Sequence, residues 1–183
     1  MMGPLRFGEG EYKYFGSPLP GPIAELRESL YFRLAPVANR WARAMGKDRA
    51  PFPAALSDFL KCCAACGQAK PTPLLLRYGP GGYNCLHQDL YGEIAFPIQA
   101  TIVLSRRGID YEGGDFLLVE QRPRAQSRGH AIDLAQGCAI LFANAQRPVA
   151  GARGFYRVNT RHGVSTIRSG QRLSLGIILH NAK

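Results

Sequence analysis

His87 and Asp89, written His-Gln-Asp inside the stretch LLLRYGPGGYNCLHQDLYG (74–92), are the residues best placed to do chemistry. On an extended strand, side chains at i and i+2 point to one face, so an imidazole and a carboxylate converge there. That pair is two-thirds of the 2-His-1-carboxylate set that holds Fe(II) on one face and leaves the other coordination positions open. The missing histidine has to come from a neighbouring strand far along the chain. His162, in RHGVSTIRSGQRLSLGIIL, is placed to supply it. Arg172 and Ser174 follow, again two apart, and a guanidinium beside a hydroxyl on one strand face suits a carboxylate.

The elements that must position these residues change character along the chain. Residues 1–21 are rich in Gly and Pro and read as an extended arm or loop. After Pro22, the recurrence of Ile23, Leu26, Leu30 and Leu34 at three- and four-residue spacing predicts a helix. A second helix is expected over 36–45, burying Val37, Trp41 and Met45 and closing at Gly46. A third, over 53–66, follows Leu56, Phe59, Leu60 and Cys63 to Gly67. Beyond Pro71 the pattern is that of a β protein. Short runs rich in β-branched and aromatic residues cover 74–78, 96–105, 115–121, 130–134, 138–143, 156–164 and 173–180. Gly and Pro punctuate the gaps, as in GPGG, EGGD and GARG. Short strands at this spacing predict a sandwich, barrel or jelly roll, with the helices packed as support on one sheet. The fold class expected is therefore mainly β with N-terminal helices, in a single domain over 1–183.

Composition bounds the rest. A hydrophobic fraction of 46% is ordinary and indicates neither disorder nor a membrane protein, and no apolar run approaches the roughly 18 residues that span a bilayer. The first residues carry no apolar leader segment, so a cytoplasmic location is expected. Five cysteines include Cys62, Cys63 and Cys66, with no second pair at metal-knuckle spacing. They read as reduced thiols on a helix, Cys63 sharing the face of Phe59. The net charge of +10 attracts polyanions, nucleic acid first, and is equally compatible with a merely basic surface. Arg122, Arg124 and Arg128, with Arg147, Arg153, Arg157 and Arg161, make either a cationic rim at a pocket mouth or a set of solvated loops. Tyr83, Tyr91 and Phe155 are candidates for stacking on an extruded base. His130 is assigned to a turn or the surface. His180 is assigned outside the site, because eight residues of strand separate it from Arg172 by about 26 Å.

The order of the motifs narrows this further. A strand ending in Tyr78, a Gly-rich turn, His-x-Asp, Gly113-Gly114, a Gly-initiated apolar strand (137–142), His162 and Arg172-x-Ser174 come in the sequence found in Fe(II)/2-oxoglutarate-dependent oxygenases. The chain resembles that superfamily over roughly 74–180. LLLRYGPGGYNCLHQDLYGE, EGGDFLLVEQRPRAQSR and YRVNTRHGVS look like a bacterial subfamily described as oxidative demethylases of damaged nucleic acid. The resemblance implies a double-stranded β-helix (jelly roll, cupin-like) as catalytic core over 71–183, with 1–70 as arm and supporting helices. It implies His87, Asp89 and His162 as ligands of Fe(II). Arg172 and Ser174 would hold the co-substrate 2-oxoglutarate, with Tyr78 and Thr101 beside it, and O2 would be the oxidant. The implied activity is a dioxygenase hydroxylating or demethylating alkylated nucleic-acid bases, a DNA repair role, with nucleic acid as partner and no membrane. No arginine follows Arg172, unlike the usual dealkylase pattern, and the Arg-x-Ser ending also resembles prolyl hydroxylases. Protein hydroxylation is therefore the alternative. A non-catalytic nucleic-acid-binding jelly roll is the further one.

Overall fold

A computed structural model describes residues 7–47 and 51–183. The first six residues of the expected arm lie outside the described residues. Of the arm's remainder, Gly8–Glu9 (β1) and Glu11–Tyr14 (β2) are short strands. This corrects the loop reading: the runs of two and four residues are too short to stand out, although β2 alternates polar and aromatic residues, and each strand finds a ladder partner.

The helices are α1 (Gly21–Ala44) and α2 (Leu56–Ala65). The two helices expected on either side of Pro36 are one, with Pro36 inside it. A proline in a helix interior costs about 3 kcal/mol. Here Pro36 faces solvent, while Arg27, Tyr31, Leu34, Ala35, Ala38 and Ala42 form an unbroken buried stripe that passes it. Packing therefore overrides the local break. Among the described residues no helix is long and apolar enough to cross a membrane.

The remaining strands are β3 (Leu74–Tyr78), β4 (Tyr83–His87), β5 (Ile98–Val103), β6 (Tyr111–Gly113), β7 (Phe116–Gln121), β8 (Arg128–Ile132), β9 (Ala139–Ala143), β10 (Gln146–Gly151), β11 (Gly154–Val164), β12 (Ile167–Gly170) and β13 (Arg172–Ile177). They form two antiparallel sheets. One runs β1-β4-β11-β7-β8 with β10 also on β11, and the other β2-β3-β13-β5-β9. From β3 onward the chain crosses repeatedly between the sheets, as from β3 to β4, β4 to β5, β8 to β9 and β9 to β10, in the winding of a double-stranded β-helix. β12 and β6 form a separate two-stranded ribbon. The arm joins the two sheets along one side, β1 pairing β4 and β2 pairing β3.

Strand parity divides the second sheet between core and cavity. Ile98, Ala100, Leu175 and Ile177 face outward and pack on the helices, with Tyr31, Phe59 and Phe96 at the centre of that core. Tyr31 stacks on Phe59 at 5.3 Å between ring centroids, and its hydroxyl donates to the Pro53 carbonyl at 2.8 Å. Burial of each such ring contributes about 2–3 kcal/mol. Because these apolar residues must face the helices, Gln99, Arg172, Ser174 and Gly176 are turned into the cleft between the sheets.

Candidate active site

His87 ends β4 and stands opposite His162 on β11, the two being Cα partners in the ladder. Two residues on, Val164 pairs with Asn84, so β4 carries one residue more than β11 over this span. The bulge lets Asn84 and His87 both face the cleft, although three residues apart. Gly163 permits it: a Cβ there would stand 2.5 Å from the Asn84 carbonyl oxygen. Asp89 follows beyond the end of β4. Its Oδ1 lies 3.5 Å from His87 Nε2 and its Oδ2 3.3 Å from His162 Nε2. One ligand atom from each of the three lies within 4.8 Å of the others, a spacing that one metal ion could bridge.

The donor chemistry suits a divalent ion. His87 Nδ1 lies 2.7 Å from the Cys85 carbonyl, so that nitrogen carries the proton and Nε2 presents its lone pair to the cleft. Burial opposes ionisation of Asp89, but hydrogen bonding and attraction to His162 and His87 outweigh it and hold the carboxyl well below the usual range. Burial pushes the pKa of His162 down against the pull of Asp89. For His87 burial acts the same way but is outweighed by Asp89, and the pKa rises. A buried carboxylate held in its charged form between two imidazoles is the donor set that a hard-to-borderline dication prefers.

Four polar residues around the triad are not legible in the sequence in these roles. Tyr91 OH donates to Asp89 Oδ1 at 2.6 Å, and Gln99 Nε2 donates to Oδ2 at 2.9 Å. Asn144 accepts from the Asp89 backbone N–H at 2.9 Å and donates to its carbonyl at 2.6 Å. Asn84 donates to Tyr78 OH at 3.3 Å while its buried Oδ1 has no partner. Their amide and phenol types carry no catalytic signature, and their partners come from strand register.

At the other end of the cleft Arg172 is Tyr78's ladder partner and is 1% exposed. Its Nη1 donates to Ser174 Oγ at 3.1 Å, its Nε is buried without a partner, and burial lowers its pKa. Tyr78 lies beside the guanidinium, 6.0 Å from ring centroid to Cζ, and burial pushes its phenol upward. Thr101 also lines the cleft, on the strand beside Gly176. All the residues singled out for iron and co-substrate therefore border one cavity.

The other candidates divide. Arg157 and Arg161 alternate with buried Val158, Thr160 and His162 and point away from the cleft. Arg147 is paired with Glu120 at 2.6 Å. Arg122, Arg124 and Arg128 keep the arrangement of an exposed cationic segment, and Arg153 is exposed on the separate turn between β10 and β11. His130 is half-buried, 3.9 Å from Glu120. His180 lies outside the cleft in the core, where burial lowers its pKa to about 4. Tyr83 and Phe155 are exposed, and Tyr91 is engaged with Asp89. Cys63 is buried as expected, whereas Cys62 faces solvent.

A family model described as an oxygenase catalysing oxidative methylation of damaged DNA matches residues 10–182. An uncharacterized protein of Mycobacterium tuberculosis, found in two strains, is 50% identical over 168 residues, which is 92% of this chain and 72% of that one. Among solved structures, a 2OG-Fe(II) oxygenase family oxidoreductase from Burkholderia pseudomallei gives a TM-score of 0.43 at 21% identity, covering 60% of this chain and 43% of that one. A prolyl-4-hydroxylase of Pseudomonas putida gives 0.40 at 17%, covering 96% and 94%.

Proposed function

The chain belongs to the Oxygenase-NA family, and on that premise we propose that it is an Fe(II)- and 2-oxoglutarate-dependent dioxygenase acting on alkylated nucleic-acid bases. One observation carries the reading: the His87–Asp89–His162 triad opens into the same cleft as a buried guanidinium with an unpartnered Nε. A metal dication answers the first and a dicarboxylate the second.

In this reading His87, Asp89 and His162 hold the iron. Arg172 and Ser174 receive the distal carboxylate of 2-oxoglutarate, with Tyr78 and Thr101 along its length. With dioxygen, the bound iron supplies the two-electron oxidation of a substrate C–H bond as 2-oxoglutarate is cleaved to succinate and CO2. The protein's part is orientation and dryness. Phe116 and Phe142 pack against His162, with ring centroids at 6.0 and 4.6 Å, and exclude water from that side. An N-methyl group hydroxylated there loses formaldehyde and leaves the free base. Nucleic acid as substrate is supported by the family's description and by the net charge of +10.

The test is succinate formation by anaerobically iron-loaded protein given 2-oxoglutarate and air, with and without an N-methylated single-stranded oligonucleotide. Oligonucleotide-stimulated succinate with matching formaldehyde is expected, and its loss in His87→Ala. Succinate indifferent to the oligonucleotide would redirect the substrate to peptides. No succinate above the His87→Ala level would overturn the catalytic reading.

A further inference from the structure

Asp89 is the member of the triad that no strand holds. β4 ends at His87, whereas His162 lies within β11 with ladder partners on both sides. A carboxylate on an unladdered segment is free to turn about two side-chain bonds, and a ligand that must be ordered by the ion weakens its binding. Here other elements supply the order. Asn144, just past the end of β9, grips the backbone of Asp89 at both its N–H and its carbonyl. Tyr91 and Gln99 take different oxygens of the side chain, 2.6 Å to Oδ1 and 2.9 Å to Oδ2. Rotation about Cβ–Cγ would break both bonds together.

We propose that Tyr91 and Gln99 are positioning residues that form a clamp on Asp89, setting its carboxylate plane for the metal ion. The inference rests on reading the triad as a metal site. Each carboxylate oxygen has two in-plane lone pairs. The clamp occupies one on each, and the one left on either oxygen can meet an ion shared with His87 and His162. Both donors are neutral, so Asp89 keeps its full charge for the ion; an arginine or lysine in either place would compete with it. Gln99 borders a second ligand as well, its Nε2 being 3.4 Å from His162 Nε2. Its orientation is not accidental. Ile98 and Ala100 on either side belong to the core beneath the helices, which turns Gln99 to the cleft. Tyr91 is backed in turn by Tyr14 of the arm, their hydroxyls 3.5 Å apart.

The experiment compares wild type, Tyr91→Phe, Gln99→Leu, the double variant and His87→Ala as apo-proteins. Mn(II) binding is measured by titration calorimetry, the visible absorption of the Co(II) forms is recorded, and thermal unfolding reports integrity. The clamp predicts that each single variant weakens Mn(II) binding about tenfold or more. It predicts a further loss in the double variant and an altered Co(II) band, with apo unfolding within a few degrees of wild type. Unchanged Mn(II) affinity and Co(II) spectrum in the double variant would overturn it. Should Gln99→Leu fail to fold, Tyr91→Phe, which removes one hydroxyl from a half-buried ring, decides alone by the same criteria. His87→Ala separates the premises: unchanged Mn(II) affinity in that variant would overturn the metal site, and with it the ground for the clamp.

Discussion

Arg172 holds two demands in conflict. Its guanidinium is buried, its Nε has no partner, and its Nη1 donates to the neutral hydroxyl of Ser174. A buried cation without a carboxylate costs stability, and removing it in favour of an apolar side chain of similar size is often stabilising. Arg172→Leu is therefore expected to raise the stability of the apo-protein by on the order of 1–3 kcal/mol. It is also expected to abolish the rise in Tm that 2-oxoglutarate gives the wild type. Thermal unfolding with and without the dicarboxylate checks both halves. A variant that keeps the rise would remove Arg172 from the co-substrate site. At this scale the sequence is informative where spacing encodes geometry. Arg172 with Ser174 is an i, i+2 pair on one face of β13, whereas His-x-Asp stands out by its residue types: Asp89 lies beyond the end of β4 and is held beside His87 by Asn144, not by strand parity. Gln99, Asn84 and Asn144 are common amides whose meaning comes from partners across the sheets, such as Asn144 with Asp89 55 positions away, and no local pattern shows that.

The elements that aim these residues depend on local irregularity more than on regular strand. The β4 bulge opposite Gly163 brings Asn84 and His87 to one face. A methyl at Gly163 would meet backbone oxygens of Asn84 at 2.5 Å and Cys85 at 3.0 Å, neither of which can move without parting β4 from β11. Gly163→Ala should cost about 1–3 kcal/mol in urea unfolding and weaken Mn(II) binding, because His87 is displaced with the strand. Full stability with full affinity would show that the bulge can relax. Regular strands such as β3 and β9 are readable from their apolar runs. β4, though it carries the motif, does not stand out as such a run, because Asn84 and Cys85 break its alternation. β1, β2 and β10 escape a sequence reading for other reasons: Gly-Glu and the four-residue alternation Glu-Tyr-Lys-Tyr are too short to stand out, β10 contains Pro148, and their ladder partners define them. Pro36 misleads in the opposite direction, because a local break is outweighed by the buried stripe on α1.

Over the whole molecule, the net charge of +10 has no address in the sequence, and the fold supplies one. β4 and β7 both lie antiparallel to β11, so they run in the same direction. Along β4 the cleft passes from Asn84, near the Arg172 end, to His87 and then Asp89. Along β7 the same path passes Phe116, then Leu118 level with His162, and then the turn that begins at Arg122. Four residues of strand place that turn about 13 Å beyond the triad, on the side away from Arg172. Glu120 at the edge of the turn is already paired with Arg147. Among the described residues Arg122, Arg124 and Arg128 make no ion pair, so their charge is available to phosphates passing the mouth of the cleft. Replacing all three by Gln should weaken binding of a methylated single-stranded oligonucleotide. It should also flatten the salt dependence by up to about 2 in log–log slope, at roughly 0.7 for each phosphate no longer neutralised. Succinate formed without any oligonucleotide should be unaffected, since none of the three borders the cleft. Fluorescence anisotropy from 50 to 200 mM salt measures the slope; an unchanged slope would return the turn to the status of a solvated loop and leave the nucleic-acid path to be sought elsewhere on the basic surface.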